Sequence, residues 1–483
     1  MKKNLILVQP VAELENSNPV LPQDAVGIGM LTIIAYIEKY GYSGEVVHMP
    51  LAIAQGHQLD SIIKHIIDAD PDVIGIGLNW LHFSSGALKI AKELRSQFPD
   101  KVIVIGGQHA TLFSQEIAEK ASYITGVTVG ESEVTYLKLI ECVQRKWSPL
   151  GKVDGLCYCD DAGYHYSLPQ IVDDLDSIPF YSYKKVWPAN NTKCAAVDTV
   201  RGTCPKGCPY CIESRTNTLQ GRRKFAFHSP QYIAAQIAEF VREGIPSVTI
   251  QDPITLLGEA FLTELCEEIL ALDIKLKILN IFVEPRTFSG NFFKLLSLCA
   301  ERVVLDYGIE SGAESVLVLS DRWFSQKELL ENFKLATHYG IKILTWWMVG
   351  MPGETRDTIR DTFQFMRDTL TVGALPRWVT PLILFPQTDM AMNAERYNIY
   401  PYYNSFDDYR HYSEVKANRY GVYEQLITHV PDGMTSKEIV EWTIALKKGI
   451  QALLIGEIQN LEKHGWDKDT ILSIAQEVGG SFY

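Results

Sequence analysis

Apolar positions fall in short unbroken runs through the first third of the chain. Residues 5–8 (LILV), 44–49 (GEVVHM), 72–78 (DVIGIGL) and 101–107 (KVIVIGG) are such runs, and a fifth lies within ASYITGVTVGESE (121–133). A strand that is apolar throughout is buried on both faces, as in a parallel sheet covered by helices. Between the runs, apolar residues recur with helical spacing over 29–39, 60–70 and 86–97. Strand–helix alternation over 1–145 therefore predicts a flavodoxin-like, Rossmann-type sheet. Its ligand crevice should lie beyond the carboxyl ends of the strands, at the point where strand order reverses.

The pattern then breaks. Residues 146–190 read as a linker containing a hairpin, VDGLCYCDDAGYHY (153–166). A second strand–helix series follows over 191–388, with strands expected at 195–200, 246–251, 277–283, 302–308, 341–349 and 378–384. Its helices carry capping signals. Ser229-Pro230 opens the helix over 230–243, and Ser325 with Glu328 forms a capping-box pattern at the start of 326–339. Six units without a second reversal predict a partial, six-stranded (β/α)6 TIM-like barrel, with its site at the strand carboxyl ends. Residues 389–483 read as a mainly helical region, aromatic at first and then helical over 436–463 and 467–477. From its position, this region is expected to close over the substrate.

A chain of 483 residues exceeds a single ordinary core. Lys plus Arg is 45 and Asp plus Glu is 58, a net charge of −13, which disfavours bulk nucleic acid as a partner. No apolar run approaches the ~20 residues of a membrane span. The start, MKKNLILVQP, lacks a small-residue cleavage site and reads as a strand, so a cytoplasmic location is expected. Nine cysteines, an odd number, fit reduced thiols better than a disulfide framework.

The candidate chemistry sits in RGTCPKGCPYC (201–211), just after the first barrel strand. Cys204, Cys208 and Cys211 on one loop can hold three irons of a [4Fe–4S] cluster and leave the fourth open to a ligand. Pro205, Gly207 and Pro209 keep the loop compact. The alternative is zinc, which wants a fourth ligand; the nearest thiol, Cys194, lies upstream across the strand.

The Cys-x3-Cys-x2-Cys spacing, with Tyr210 before the last cysteine, resembles the radical S-adenosylmethionine (SAM) superfamily. GIESG (308–312), VGMPGET (349–355) and LFPQT (384–388) are similar to segments that follow its fourth, fifth and sixth barrel strands. Upstream, GGQHAT (106–111), GESE (130–133) and LDSIP (175–179) resemble the cobalamin-binding domain and linker of one large subfamily. Three departures stand out: the inserted Thr203, QDP (251–253) in place of paired acids, and Gln387 in place of glycine.

The resemblance implies a [4Fe–4S] cluster, SAM and cobalamin as cofactors. It implies SAM contacts from Tyr210, Gln251, Arg286, Glu310 and Ser311, with an ion pair as the alternative role for Arg286. Cobalamin contacts are implied for Asn79, Trp80, Leu81, Gly106, Gly107, His109, Gly130 and Glu131. The Asp-x-His-x-x-Gly signature of histidine-on-cobalt enzymes is absent from 1–145, so neither His82 nor His109 is expected on cobalt. Of Trp346 and Trp347, neighbours on one strand, only one can point inward. The implied activity is C-methylation of an unactivated carbon in a small biosynthetic intermediate, fed by an external one-electron reductant of flavodoxin or ferredoxin type. The alternatives are a ring contraction, cyclisation or other radical rearrangement, or a non-catalytic cobalamin and iron–sulfur sensor. A methylthiotransferase is disfavoured, because residues 1–141 contain no cysteine.

Overall fold

The computed structural model describes residues 2–13, 26–189, 192–214, 221–418 and 423–480. Strands β1 (Leu5–Gln9), β2 (Gly44–His48), β3 (Val73–Gly77), β4 (Val102–Gly106) and β5 (Gly126–Thr128) pair in parallel in the order β2-β1-β3-β4-β5. The order reverses between β1 and β3, which places the crevice where the sequence pattern puts it. The predicted hairpin forms as β6 (Leu156–Asp160) and β7 (Gly163–His165), and β6 runs antiparallel along β5. At the other edge β8 (Val186–Trp187) joins β2 in parallel, so the linker contributes to both sheet edges.

Side chains alternate across β1. Ile6 and Val8 pack with Ile62, Ile66 and Ile90 on one face. Leu5 and Leu7 pack with Leu31 and Ile34 on the other, in a core that continues into the barrel. The two units thus share one apolar interior, and their relative placement is set by packing.

The second series begins with β9 (Cys194–Ala196). The chain then leaves the barrel wall as β10 (Val200–Arg201), paired antiparallel with β11 (Ala226–Phe227). Strands β12 (Ser247–Ile250), β13 (Ile278–Val283), β14 (Arg302–Glu310), β15 (Lys342–Val349) and β16 (Ala374–Pro381) continue the parallel sheet, in the order β9-β12-β13-β14-β15-β16. The first strand is shorter than expected, because Val200 and Arg201 pair outside the wall. The last begins at Ala374 rather than at 378. Pro376 and Pro381 disguise it in sequence, and as an edge strand it tolerates them.

Helix caps follow the sequence in part. The Ser229 hydroxyl accepts from the Tyr232 N–H at 3.1 Å, opening helix Pro230–Arg242. Ser325 accepts from the Glu328 N–H at 3.3 Å, which is one half of the expected capping box.

The C-terminal region departs from expectation. The helix expected over 436–463 ends at Gly456, and Ile458–Lys463 and Lys468–Gly480 follow as separate helices. The aromatic segment does not cover a substrate cavity. Helix Phe406–Asn418 lies against the turn Leu81–Phe83 and helix Ser84–Gln97, burying Phe406, Tyr409 and Tyr412. The Ser413 hydroxyl lies within hydrogen-bond distance of the carbonyls of Ala12 (3.1 Å) and His82 (2.9 Å) and donates its one hydrogen to either. β17 (Ile399–Pro401) pairs with β18 (His429–Pro431), and the His429 imidazole bonds the Gly350 carbonyl at 2.9 Å. The tail therefore straps the first sheet to the barrel. Among the described residues, no helix is long and apolar enough to cross a membrane.

Candidate functional site

The carboxyl ends of both sheets open onto one cavity of about 690 Å³. From the first sheet it is lined by Asn79 and Trp80 after β3, Gly106 and Gly107 after β4, and Gly130 and Glu131 after β5. From the barrel it is lined by Arg201, Gly202 and Cys204, by Gln251 and Asp252 after β12, and by Phe282 and Trp346.

The glycines of GGQHAT have a packing reason. A Cβ on Gly107 (φ +115°) would stand 2.4 Å from Asn79 Oδ1, and one on Gly106 would stand 2.1 Å from Thr128 Oγ1. They let the ends of β3, β4 and β5 close up and leave bare backbone on the cavity wall. That wall, at the reversal of strand order, fits a bulky cofactor such as cobalamin.

Two residues expected beside cobalamin are turned away. Leu81 starts the 3-10 turn Leu81–Phe83 and enters the core at 2% exposure. His109 lies in the short helix Gln108–Leu112 among Phe113, Phe406 and Tyr409. Both its ring nitrogens are buried without a partner among the described residues, and burial pushes its pKa down to about 3. A neutral histidine walled in by aromatics does not face the cavity.

The cysteine loop is held from several sides. The Cys204 N–H donates to the Glu213 carbonyl at 3.2 Å, and the Cys211 N–H to the Cys208 carbonyl at 3.1 Å. Gly202 (φ +94°) packs so tightly that a Cβ would meet the Lys224 carbonyl at 2.0 Å. The inserted Thr203 turns inward, and its hydroxyl has no partner among the described residues. Cys208 and Cys211 lie in an apolar shell with Tyr210, Met351, Leu384 and Met390. Burial pushes the Cys211 thiol up to about 12 and also raises Cys204. Among the described residues, no three His, Cys, Asp or Glu side chains gather closely enough for a single metal ion. Three thiols on one loop form a donor set that suits a cluster with one thiolate per iron.

Of the five residues expected to touch SAM, only Gln251 lines the cavity. Tyr210 is buried within the loop, its hydroxyl toward Glu310, whose carboxyl it helps to hold down. Glu310 (φ +69°) pairs with Arg322 at 3.3 Å, and burial raises its carboxyl pKa. Ser311 faces helix Arg356–Thr371, its hydroxyl 3.1 Å from that of Thr362. Arg286 is taken by Glu284 at 3.0 Å and by the Thr255 carbonyl, which is the ion-pair alternative. Of the tryptophan pair, Trp346 lines the cavity with Phe282 at 5.3 Å, while Trp347 packs edge-on against Phe365. Trp346 Nε1 donates to Asp306 at 3.3 Å.

Charge joins the two walls. Glu131 accepts from Arg222 Nη2 at 2.9 Å and from Arg201 Nη1 at 3.2 Å. Arg201 also bonds Glu133 at 2.9 Å and Asp198 at 2.7 Å. Burial opposes ionisation of Asp198, yet Arg201 and His228 hold its carboxyl well below the usual range. Burial and the charge of Asp198 push Asp252 up to about 7, although it accepts from the Thr199 N–H at 2.8 Å. Glu131, expected beside cobalamin, is thus engaged by arginines of the barrel loops.

Sequence reasoning missed Arg201, Arg322 and Glu354. Arg201 adjoins the cysteine motif and Arg322 interrupts the apolar run VLVLSDRWF (316–324). A charged pair, Asp321-Arg322, breaking an apolar run is the available signal for Arg322.

Residues 200–366 match the family model of the radical SAM superfamily, and residues 19–140 that of the B12 binding domain. An uncharacterised methyltransferase of Pyrococcus horikoshii is 24% identical over 69% of this chain and 72% of its own length. The anaerobic magnesium-protoporphyrin IX monomethyl ester cyclase of Rubrivivax gelatinosus is 24% identical over 69% of this chain and 61% of its own. The chain thus spans only about six tenths of that cyclase. In fold it is similar to the radical SAM methyltransferase TsrM of Kitasatospora setae, with a TM-score of 0.70 at 16% identity, covering 93% of this chain and 89% of that one. It is similar also to the cobalamin-dependent radical enzyme OxsB, with a TM-score of 0.61 at 18% identity, covering 82% and 56%. With a B12 binding domain ahead of a radical SAM barrel, the chain belongs to the cobalamin-dependent radical SAM enzymes, whose cofactors are a [4Fe–4S] cluster, SAM and cobalamin.

Proposed function

We propose that this enzyme is a C-methyltransferase acting on an unactivated carbon of a small biosynthetic intermediate. The observation that carries the reading is the single cavity shared by the ends of both sheets, with Cys204 on one wall and Gly106 and Gly107 on the other. When bound, the cluster with SAM supplies a carbon-centred radical and the cobalamin carries a methyl group.

The chain's residues do the rest. Residues 1–145 hold cobalamin, 146–190 link, 191–388 hold the cluster and SAM, and 389–483 brace the two. Cys204, Cys208 and Cys211 would hold the cluster, one thiolate to an iron, with the fourth iron open to SAM. The apolar shell of Met351, Leu384 and Met390 covers Cys208 and Cys211, while Cys204 lines the cavity. Asn79, Trp80 and the backbone of Gly106, Gly107 and Gly130 line the wall that would hold the cobalamin, and neither His82 nor His109 lines it. Gln251 lines the cavity where SAM would sit, whereas Glu310 and Tyr210 would act from behind its wall. Phe282 and Trp346 form an aromatic wall, and Asp306 fixes the indole so that a substrate meets a defined surface. The electron comes from a low-potential donor of flavodoxin or ferredoxin type.

A second reading, cyclisation or ring contraction with the same cofactors, has support from the relatives named as cyclases and from the 4′-phospho-dehydrooxetanocin synthase of Priestia megaterium, 21% identical over 70% of this chain. Product analysis separates the two. Methylation of a substrate gives S-adenosylhomocysteine and 5′-deoxyadenosine in about equal amounts when the two uses of SAM are coupled. 5′-Deoxyadenosine alone, with an unmethylated product, assigns the rearrangement. Absence of 5′-deoxyadenosine under reducing conditions removes both.

A further inference from the structure

Arg322 is a buried cation in the link after helix Glu314–Leu319, 8% exposed. The turn that delivers it has Asp321 at φ +50°, and the Arg322 N–H is tied to the Leu317 carbonyl at 2.9 Å. Its guanidinium is held from behind. One terminal nitrogen, Nη2, donates to the Gly308 carbonyl and to Glu310 Oε1. A Cβ on Gly308 would stand 3.0 Å from Glu310 Oε1 and 3.4 Å from Arg322 Nη2, so the glycine makes room for the pair. The other terminal nitrogen, Nη1, points forward and donates to Cys208 Sγ at 3.5 Å.

A planar fork fixed on one side delivers a directed N–H on the other. Here the acceptor is a sulfur of the three-cysteine loop, in an apolar shell where charge is poorly screened. Reduction adds one electron to the cluster, breaks no bond and leaves one more negative charge on its irons and sulfurs. A hydrogen bond to a ligating sulfur and a nearby fixed cation both favour that reduced form.

We propose that Arg322 is a positioning residue that raises the reduction potential of the cluster through Cys208, easing delivery of the electron by a low-potential donor. The pairing with Glu310 aims the guanidinium at the sulfur. The proposal rests on the assignment of the three cysteines to the cluster and is independent of methylation as the reaction.

The test uses the full chain with its cluster reconstituted and no SAM present. Midpoint potentials are read by redox titration followed with electron paramagnetic resonance, for unmodified protein, R322M, R322Q and R322K. R322M and R322Q should titrate at more negative potential, with iron and sulfide content unchanged. R322K, which keeps the charge, should recover part of the shift. Removing the exposed Arg356, which pairs with Glu438 at the surface, should leave the potential in place. An unchanged midpoint in a fully loaded R322M or R322Q would overturn the proposal. So would failure of all three Arg322 variants to assemble a cluster, since Arg322 would then be needed for the fold of the loop. A triple Cys204, Cys208, Cys211→Ala protein that still bears the cluster would instead sink the ligand assignment on which the proposal stands.

Discussion

At the scale of single residues, the site is built from buried groups whose neighbours fix what they can do. Cys194 is exposed at the start of β9, whereas Cys204, Cys208 and Cys211 share one loop. Cys194→Ala should therefore keep both the cluster absorption and SAM cleavage, and alanine at all three loop cysteines should abolish both. Iron and sulfide analysis beside a 5′-deoxyadenosine assay reads this directly. Glu354 gives a pH-dependent outcome. Burial pushes its carboxyl from an ordinary 4.5 up to about 8, although the Gly350 and Met351 N–H groups oppose the rise. The native state then holds a proton that the unfolded chain has lost between those values. Its contribution to stability accordingly falls as pH rises through that window, by at most about 1.4 kcal/mol per pH unit. Glu354→Gln, which cannot ionise, should flatten the decline in melting temperature between pH 5 and 8 relative to unmodified protein. Equal slopes in the two proteins would contradict the assignment.

At the scale of elements, the strands read clearly because each is an unbroken apolar run, and the order of β1 to β5 follows from alternation with helices. Short elements were less legible. β10 leaves the barrel wall to pair with β11, a contact between positions distant in sequence with no local signature. β16 is masked by its prolines, and the break at Glu457 is marked only by Gly456 just before it, with no proline beyond. The cysteine loop was legible from spacing alone. The ion pairs behind it were not, because Glu131 and Glu133 meet Arg201 and Arg222 only once the two sheets face each other. The same folding explains why Glu310, Ser311 and Arg286 sit where they do. Their motifs mark the right strand ends, but whether a side chain reaches the cavity depends on partners such as Arg322, Thr362 and Glu284. Arg201→Met should leave Glu133 without its cation, Glu131 with Arg222 alone and Asp198 with His228 alone. Removing one partner of a buried ion pair typically costs about 3–5 kcal/mol. Hydrogen exchange should therefore quicken in 130–136 and 198–204 together. Faster exchange confined to one of these segments would mean that the pairs do not join the two walls.

At the scale of the whole molecule, two parallel sheets point their carboxyl ends at one space, and a C-terminal strap ties them. Helix Phe406–Asn418 packs on the first sheet and His429 bonds the loop after β15, so the strap fixes geometry without lining the cavity. Ser413→Val, which removes the hydroxyl shared by the Ala12 and His82 carbonyls in the loops after β1 and β3, should loosen the strap and lower the melting temperature while leaving the cluster content intact. The central claim is that cobalamin and the iron–sulfur cluster face each other across this cavity. It is tested most directly by electron paramagnetic resonance of protein loaded with cob(II)alamin and the reduced cluster. The account predicts magnetic coupling between the two spins and, in the cobalt signal, no nitrogen splitting that depends on His82 or His109. Two uncoupled spectra, or a nitrogen splitting that vanishes in His109→Ala, would contradict it.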